Sequence, residues 1–179
     1  MNKDIVFYQQ YAVPYFGILS LSAHLKHAGI SADVVIESLE NNFLEKIKTV
    51  NPKLIGISVL SPEHNWLIKT SKKIKSILPN TKIIVGGIHA IFYPQEILNS
   101  ASVDLVCHGD GENTLLAVMT ELNNSKPNFA SISGIAYKDK ENKICINERA
   151  NLVPFSKEIV EDRAIYYDKY PQLAKDAVH

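Results

Sequence analysis

The chain has 179 residues, of which 46% are apolar, and its 19 basic residues balance its 19 acidic residues. This composition suffices for one domain with a sizeable core, whereas zero net charge argues against a nucleic-acid partner, which normally meets a basic surface. The sequence has no apolar run of about 18 residues, no signal-peptide segment and only two cysteines. We therefore expect no membrane partner, no disulfide framework and a cytoplasmic location.

Short apolar runs rich in Ile and Val alternate along the chain with helical patterns. The predicted strands are Asp4–Tyr8, Asp33–Glu37, Leu54–Leu60, Lys82–Gly86 and Asp104–Cys107. Near-continuous apolarity of this kind is typical of parallel strands that are covered on both faces. The alternation predicts an α/β fold, with a flavodoxin-like (Rossmann-like), doubly wound, five-stranded parallel sheet in the order 2-1-3-4-5.

The tail has a different pattern. The runs Gly134–Tyr137 and Lys143–Ile146 flank a polar turn and predict a β-hairpin appended to the sheet. Beyond residue 148 the periodicity is lost, and Pro154 and Pro171 interrupt the chain. These patterns divide the chain into an α/β domain at 1–125, a hairpin extension at 126–150, and a linker or docking arm at 151–179.

Glycine is concentrated where the strands of this sheet should end. In an open parallel sheet, ligands bind beyond the carboxyl ends of the strands, at the switch in strand order. The pair Gly86-Gly87 ends the fourth predicted strand. It indicates either a tight turn, which needs at most one glycine, or a floor without side chains that a ligand can approach closely.

The established phosphate-binding motifs are missing. The segment Gly109–Asn113 is not GxGxxG and follows the last strand rather than the first, and there is no Walker lysine. The turn after the first strand lacks the Ser, Thr and Gly of a flavodoxin phosphate loop. A flavin- or nucleotide-binding domain therefore stays open only as an alternative, with its phosphate at Gly109–Thr114, where a helix begins.

Two short motifs resemble signatures of cobalamin (B12)-binding domains. Ser58-Val59-Leu60 is followed after 25 residues by Gly86-Gly87. In that family the serine and leucine border the channel for the dimethylbenzimidazole tail, and the glycine pair lets the corrin or its nucleotide loop pass close to the backbone. The family's first signature, DxHxxG, is missing, because the segment from Tyr8 to Gly17 contains no histidine.

A more specific resemblance is to the cobalamin-binding domains fused to radical SAM enzymes. The segment Pro14–Leu21 is similar to their P-x-x-G-x-x-x-L opening, and His108–Glu112 is similar to their GEGE turn. The resemblance covers roughly residues 1–150. It implies a corrinoid cofactor, cobalamin, and as partner a C-terminal radical SAM domain, which would hold a [4Fe–4S] cluster and S-adenosylmethionine. Cys107 and Cys145 cannot ligate that cluster by themselves, so we expect this chain alone to be non-catalytic.

The resemblance also implies which residues contact the cofactor. His89 is expected to face the site or to cap a loop, and Tyr15 and Phe16 to pack against the corrin's lower face or in the core. His64 and His108 could reach the cobalt, although structural roles are favoured. No catalytic or metal-ligating residue is assigned. The expected cofactor-binding residues are Pro14, Tyr15, Phe16, Gly17, Ser58, Leu60, Gly86, Gly87, His89, Gly109, Gly111 and Glu112.

The sequence therefore predicts the cobalamin-binding module of a B12-dependent radical SAM enzyme, with no histidine ligand from a DxHxxG loop. Methyl transfer is the implied reaction, and some relatives form rings instead. The second alternative is a degenerate docking or assembly domain, in which Tyr11, Tyr15 or Phe16 fills the site. The sequence does not specify the substrate or the oligomeric state.

Overall fold

The computed structural model describes residues 3–150 and 159–175. It contains seven strands and eight helices within those ranges, together with two 3₁₀ turns at Glu37–Leu39 and Ser61–Glu63. The strands are β1 Ile5–Gln9, β2 Ala32–Ile36, β3 Leu54–Ser58, β4 Lys82–Gly86, β5 Leu105–Cys107, β6 Ile135–Lys138 and β7 Ile144–Ile146. The helices are α1 Phe16–His27, α2 Phe43–Val50, α3 His64–Ile77, α4 Ile88–Phe92, α5 Pro94–Ser100, α6 Gly111–Glu121, α7 Ala164–Tyr167 and α8 Gln172–Lys175.

The strands form one sheet in the order β2-β1-β3-β4-β5-β6-β7. The first five strands are parallel, which confirms the predicted α/β class and the order 2-1-3-4-5. The predicted hairpin joins the same sheet, because β6 pairs antiparallel with β5 and β7 with β6. The full sheet therefore has seven strands, two more than its parallel part.

Each face of the sheet carries its own apolar core, because successive side chains of a strand point to opposite faces. On β1, Ile5 and Phe7 face one core, and Val6 and Tyr8 face the other. All four are at most 3% exposed, and each such burial contributes ~1.5–3 kcal/mol. Helices α1 and α6 cover the first face, whereas α2, α3 and α5 cover the second.

The sequence left the tail, 151–179, open as a linker or docking arm. Its described part, residues 159–175, packs against the domain. Tyr166 of α7, Leu173 of α8 and Tyr170, which lies between the two helices, are in the same core as Phe7 of β1, each at most 4% exposed. The three residues have helical spacing, but α7 ends at Tyr167 and α8 begins only after Pro171, so no periodic stretch is long enough to predict either helix. Residues 151–158 lie outside the described residues.

Smaller corrections occur around the glycine pair. The third predicted strand, Leu54–Leu60, ends at Ser58, and Leu60 leads into the 3₁₀ turn. A helix, α4, begins directly after Gly87, where the sequence predicted a loop. Gly87 has a φ of 90°, which turns the chain out of the strand and allows a helix to start at once. In the described part of the chain, no helix is long and apolar enough to cross a membrane.

Candidate functional site

A cavity of about 920 Å³ opens at the carboxyl end of the parallel strands. The loop after β1, the loop after β3, the start of α4 and the turn before α6 form its walls. It lies at the point where the strand order switches between β1 and β3, as expected for a ligand site in a doubly wound sheet. Its size is in the range of small-molecule and cofactor sites, which span roughly 300–1,000 Å³.

The cavity gathers nearly all residues that the sequence predicted for the site. Among these expected cofactor-binding residues, His89 is the exception. The predicted residues that line the cavity are Pro14, Tyr15, Phe16, Gly17, Ser58, Leu60, Gly86, Gly87, Gly109, Gly111 and Glu112. The structure therefore brings together segments that lie up to about a hundred residues apart in the sequence.

His89 faces away from the cavity, so the expectation that it faces the site is wrong. It is 4% exposed, its Nε2 lies 2.8 Å from Nδ1 of His64, and its Nδ1 lies 3.2 Å from Oγ of Ser61. The reason is α4: Ile88 and Ile91 are three residues apart on the helix and line the cavity, so His89 points to a different side. Burial, and secondly the neighbouring His64, lower the pKa of His89.

No histidine within the described ranges lines this cavity. His64 begins α3 behind the wall and bonds with His89. His108 is buried and faces a second, smaller hollow of about 580 Å³ beside α4 and α5, where Arg149 also lies. The site therefore presents no imidazole from His64, His89 or His108.

The two glycines at the end of β4 have different physical roles. At Gly87 the φ of 90° disfavours any side chain, and a Cβ would lie 2.7 Å from the carbonyl oxygen of Val59. At Gly86 a Cβ would meet nothing within 4 Å. Gly87 is thus required by the turn, whereas Gly86 is not, and a side chain at Gly86 would occupy the open space beside it. Backbone geometry therefore does not account for the bare floor of the cavity at Gly86.

The corner after β3 contains a buried acid that the sequence prediction missed. Glu63 is 5% exposed and lines the cavity, and its Oε2 accepts a 2.6 Å hydrogen bond from the backbone N–H of Leu60. Its Oε1 is buried and has no hydrogen-bond partner among the described residues. A buried acceptor without a partner is costly and usually indicates a missing donor. The only local signal was the Ser-Pro-Glu turn, which predicts a helix start.

The loop after β1 forms an apolar rim around the opening. Tyr11 and Val13 are both 52% exposed and Phe16 is 75% exposed, so Tyr11 and Phe16 stand at the mouth and leave the cavity open. Tyr15 is partly buried. Its burial, and secondly the negative charge of Glu63, raise the pKa of Tyr15 to about 12. Exposed apolar side chains grouped around a cavity indicate a surface that a ligand or a partner covers.

The glutamate at the start of α6 is held by its neighbour helix. Glu112 lines the cavity, and its Oε1 accepts a 2.8 Å hydrogen bond from Oγ of Ser20 on α1. A carboxylate in the first turn of a helix is also stabilised by the helix dipole. The helices approach closely here, since a Cβ on Gly111 would lie 2.9 Å from the side chain of Leu21. Glu112 therefore has a structural role, whether or not it meets a ligand.

A model of the B12 binding domain family matches residues 3–119, well over half of the chain. The chain belongs to the B12-binding domain family. All cavity-lining residues, from Phe7 to Leu115, fall inside the matched range. The hairpin and the helices α7 and α8 lie outside it.

Two related proteins are similar to this chain over part of their own length. The anaerobic magnesium-protoporphyrin IX monomethyl ester cyclase of Rubrivivax gelatinosus is 26% identical over 132 residues, which are 69% of this chain and 24% of the relative. The cytidylyl-2-hydroxyethylphosphonate methyltransferase of Streptomyces wedmorensis is 27% identical over 115 residues, 64% of this chain and 21% of the relative. This chain therefore matches less than a quarter of the length of either relative.

Solved structures show the same fold at low sequence identity. The cobalamin-dependent S-adenosylmethionine radical enzyme OxsB with aqua-cobalamin bound has a TM-score of 0.81 and 18% identity, covering 97% of this chain and 25% of that one. The radical S-adenosylmethionine methyltransferase TsrM from Kitasatospora setae has a TM-score of 0.70 and 13% identity, covering 91% of this chain and 36% of that one. The match to OxsB extends through nearly the whole chain, including the region beyond the family match.

The segment after β1, between Tyr8 and Gly17, contains no histidine. Among the residues that the structure describes, no three His, Cys, Asp or Glu side chains are grouped closely enough to hold a metal ion.

Proposed function

We propose that this chain binds cobalamin in the cavity at the carboxyl end of its parallel sheet, as the corrinoid-binding module of a radical SAM enzyme. The observation that carries the proposal is Gly86. It lines the cavity of a B12-binding domain, its backbone does not require glycine, and the space next to it is open. A large ligand that passes close to the backbone explains a missing side chain at this position.

The residues of the cavity fit a corrinoid in three further ways. The space of about 920 Å³ is large, and many of its walls are apolar. Glu63 offers an acceptor, Oε1, that no described residue satisfies, and a corrinoid carries amide N–H donors around its ring. The rim residues Tyr11 and Phe16 leave the cavity open, which counts against the degenerate domain with a filled site.

Individual residues receive roles by their position on the walls. Ser58 at the end of β3 and Leu60 in the following loop, with Gly86 and Gly87, would border the nucleotide tail. Tyr15, Phe16 and Gly17 belong to the segment that replaces DxHxxG, and would lie towards the lower face of the ring. His89 has no role in contacting the cofactor, since it bonds with His64 and Ser61 behind the wall.

The chemistry would come from the cofactor and from a partner domain. When bound, cobalamin supplies a cobalt centre that can exchange methyl groups or electrons. This chain would bind and orient the corrinoid, and it would place no imidazole from His64, His89 or His108 at the lower face of the ring. Methyl transfer is the reaction we favour for the whole enzyme, because the relative from Streptomyces wedmorensis is a methyltransferase. The apolar rim, with Phe16 75% and Ile88 58% exposed, suits coverage by the cofactor and a radical SAM domain.

To test the proposal, the purified chain is incubated with hydroxocobalamin and desalted. The absorption spectrum then shows how much corrinoid the protein retains. We expect the wild type to retain the corrinoid with a spectrum that lacks a nitrogen ligand from the protein. The variant Gly86→Leu should fold, because the added side chain points into open space, but should retain at least tenfold less corrinoid, since a Leu side chain would occupy the ligand's space.

The matched control is Lys72→Leu, which adds the same side chain at an exposed position of α3. Thermal unfolding of both variants shows whether they are folded. A folded wild type that retains no corrinoid, or a Gly86→Leu variant that retains as much as the wild type, would contradict the proposal. Retention of flavin mononucleotide instead would favour the flavin-binding alternative.

A further inference from the structure

The side chain of Gln9 connects the cavity loop to the carboxyl-terminal helices. Gln9 ends β1 and has 0% exposure. Its Nε2 donates to the carbonyl oxygens of Tyr11 at 2.5 Å and Val13 at 2.7 Å. Its Oε1 accepts a 2.5 Å hydrogen bond from the hydroxyl of Tyr166 in α7. The side-chain amide of Gln9 therefore bonds two carbonyl groups of the loop and the hydroxyl of a helical residue that lies 157 positions further along the chain.

Tyr166 closes this network from the other side. Its ring is 0% exposed, and its hydroxyl oxygen also accepts a 3.3 Å hydrogen bond from the backbone N–H of Tyr15. The hydroxyl thus donates once and accepts once, and both N–H groups of Gln9 are used. A buried polar network in which every donor is satisfied makes a structure rigid and specific. Burial keeps the pKa of Tyr166 well above its ordinary value, so the hydroxyl remains a donor.

The loop residues that accept or donate hydrogen bonds in this network line the cavity, whereas the two side chains that bond them do not. Tyr11, Val13 and Tyr15 line the cavity, but Gln9 and Tyr166 do not. Tyr166 can therefore affect a ligand only through the shape of the loop. This loop replaces the DxHxxG segment of the family, and Tyr166 lies outside the range that the family model matches.

We propose that Tyr166 is a positioning residue: its hydroxyl, through Gln9 and the Tyr15 N–H, sets the conformation of the loop from residue 10 to residue 15 in which a corrinoid is bound. The inference rests on the proposed function for its ligand. With this role for Tyr166, the cavity is correctly formed only when the segment 159–175 is docked on the domain.

The chain offers a matched control in Tyr170, which is also a buried tyrosine of this segment. Its hydroxyl donates to Oε1 of Glu40 at 2.5 Å and accepts from the backbone N–H of Ile36 at 3.3 Å. Neither partner lines the cavity. Tyr166→Phe and Tyr170→Phe therefore each remove one buried hydroxyl with two bonds from the same docked segment, but only the first removes bonds to the cavity loop.

The experiment compares the full 179-residue wild type with these two variants by two readouts. The first is the Kd for hydroxocobalamin with the spectrum of the bound corrinoid, and the second is hydrogen exchange of the amides of residues 10–16 without ligand. We expect Tyr166→Phe to raise Kd about tenfold and to speed exchange of the Tyr15 amide. Tyr170→Phe should leave Kd and loop exchange unchanged while lowering Tm by a similar amount.

The two readouts separate this inference from the proposed function. If Tyr166→Phe accelerates loop exchange and no variant binds the corrinoid, the positioning role holds and the proposed ligand is wrong. If the wild type binds and both variants change Kd and loop exchange equally, Tyr166 is merely structural and the inference is wrong. Unchanged loop exchange in Tyr166→Phe overturns it in every case.

Discussion

The cavity has two walls that are built on different principles. The wall after β1 is held by side-chain hydrogen bonds, in which Gln9 and Tyr166 satisfy the backbone of the loop. The wall after β3 and β4 is shaped by the backbone, with Gly87 at a φ of 90°, and it carries an acceptor, Glu63 Oε1, that has no hydrogen-bond partner in the described part of the chain. In the first wall Gln9 and Tyr166 are satisfied without a ligand, whereas the second wall contains an acceptor that no described residue satisfies. We expect a bound ligand to donate a hydrogen bond to Glu63 Oε1 in the second wall. With the first wall we expect it to make packing contacts only.

The largest expected effect is at the turn of the second wall. Gly87→Ala would place a Cβ 2.7 Å from the Val59 carbonyl oxygen at positive φ, and should lower the free energy of unfolding by roughly 3 kcal/mol. Gly86→Ala, its neighbour in open space, should change it by less than about 1 kcal/mol. Urea denaturation of both variants checks this difference. Equal midpoints would show that the turn does not depend on Gly87.

The acceptor of Glu63 provides the next test. Glu63→Gln keeps an oxygen for the Leu60 N–H but can put an N–H₂ where Oε1 lies. If Oε1 accepts a hydrogen bond from a corrinoid amide, the variant should bind hydroxocobalamin about tenfold more weakly, with unfolding free energy within ~1 kcal/mol of wild type. Glu96→Gln, at an exposed position on α5, is the control. Equal Kd values for wild type and Glu63→Gln would mean that Oε1 does not meet the ligand.

The smallest expected effect concerns His89, which supports the second wall through Ser61. Because its pKa is lowered in the folded state, the unfolded chain binds the proton more readily. Stability should be full above the unfolded value of about 6.5 and be lost as the pH falls from there towards the folded value. The measurement is the urea midpoint of wild type and His89→Gln between neutral and mildly acidic pH. A wild-type profile as flat as that of His89→Gln would contradict the assignment.

The same two walls explain which site residues could be predicted. The glycine pair was identifiable because a turn with positive φ and a bare floor leave a recognisable glycine signal at the end of a strand. Ser58 was identified only through the resemblance to cobalamin-binding domains. The orientation of His89 could not be predicted, because it depends on α4 starting directly after Gly87 and on which side of that short helix meets α3. Glu63 was missed because a Ser-Pro-Glu turn predicts a helix start whether or not its carboxylate is buried.

The sequence by itself determined the alternation of strands and helices, the order of the five parallel strands, and the edge of the sheet where the cavity lies. The alternation follows from periodicity over a few residues, and the strand order is one of those that right-handed crossovers allow in a doubly wound sheet. Tertiary structure alone decided that residues 159–175 pack on the domain and that Tyr166 reaches Gln9. That contact joins residues 157 positions apart through one hydroxyl and one amide. Nothing in the local pattern around either residue specifies its partner, because only the folded core brings both into the same buried space.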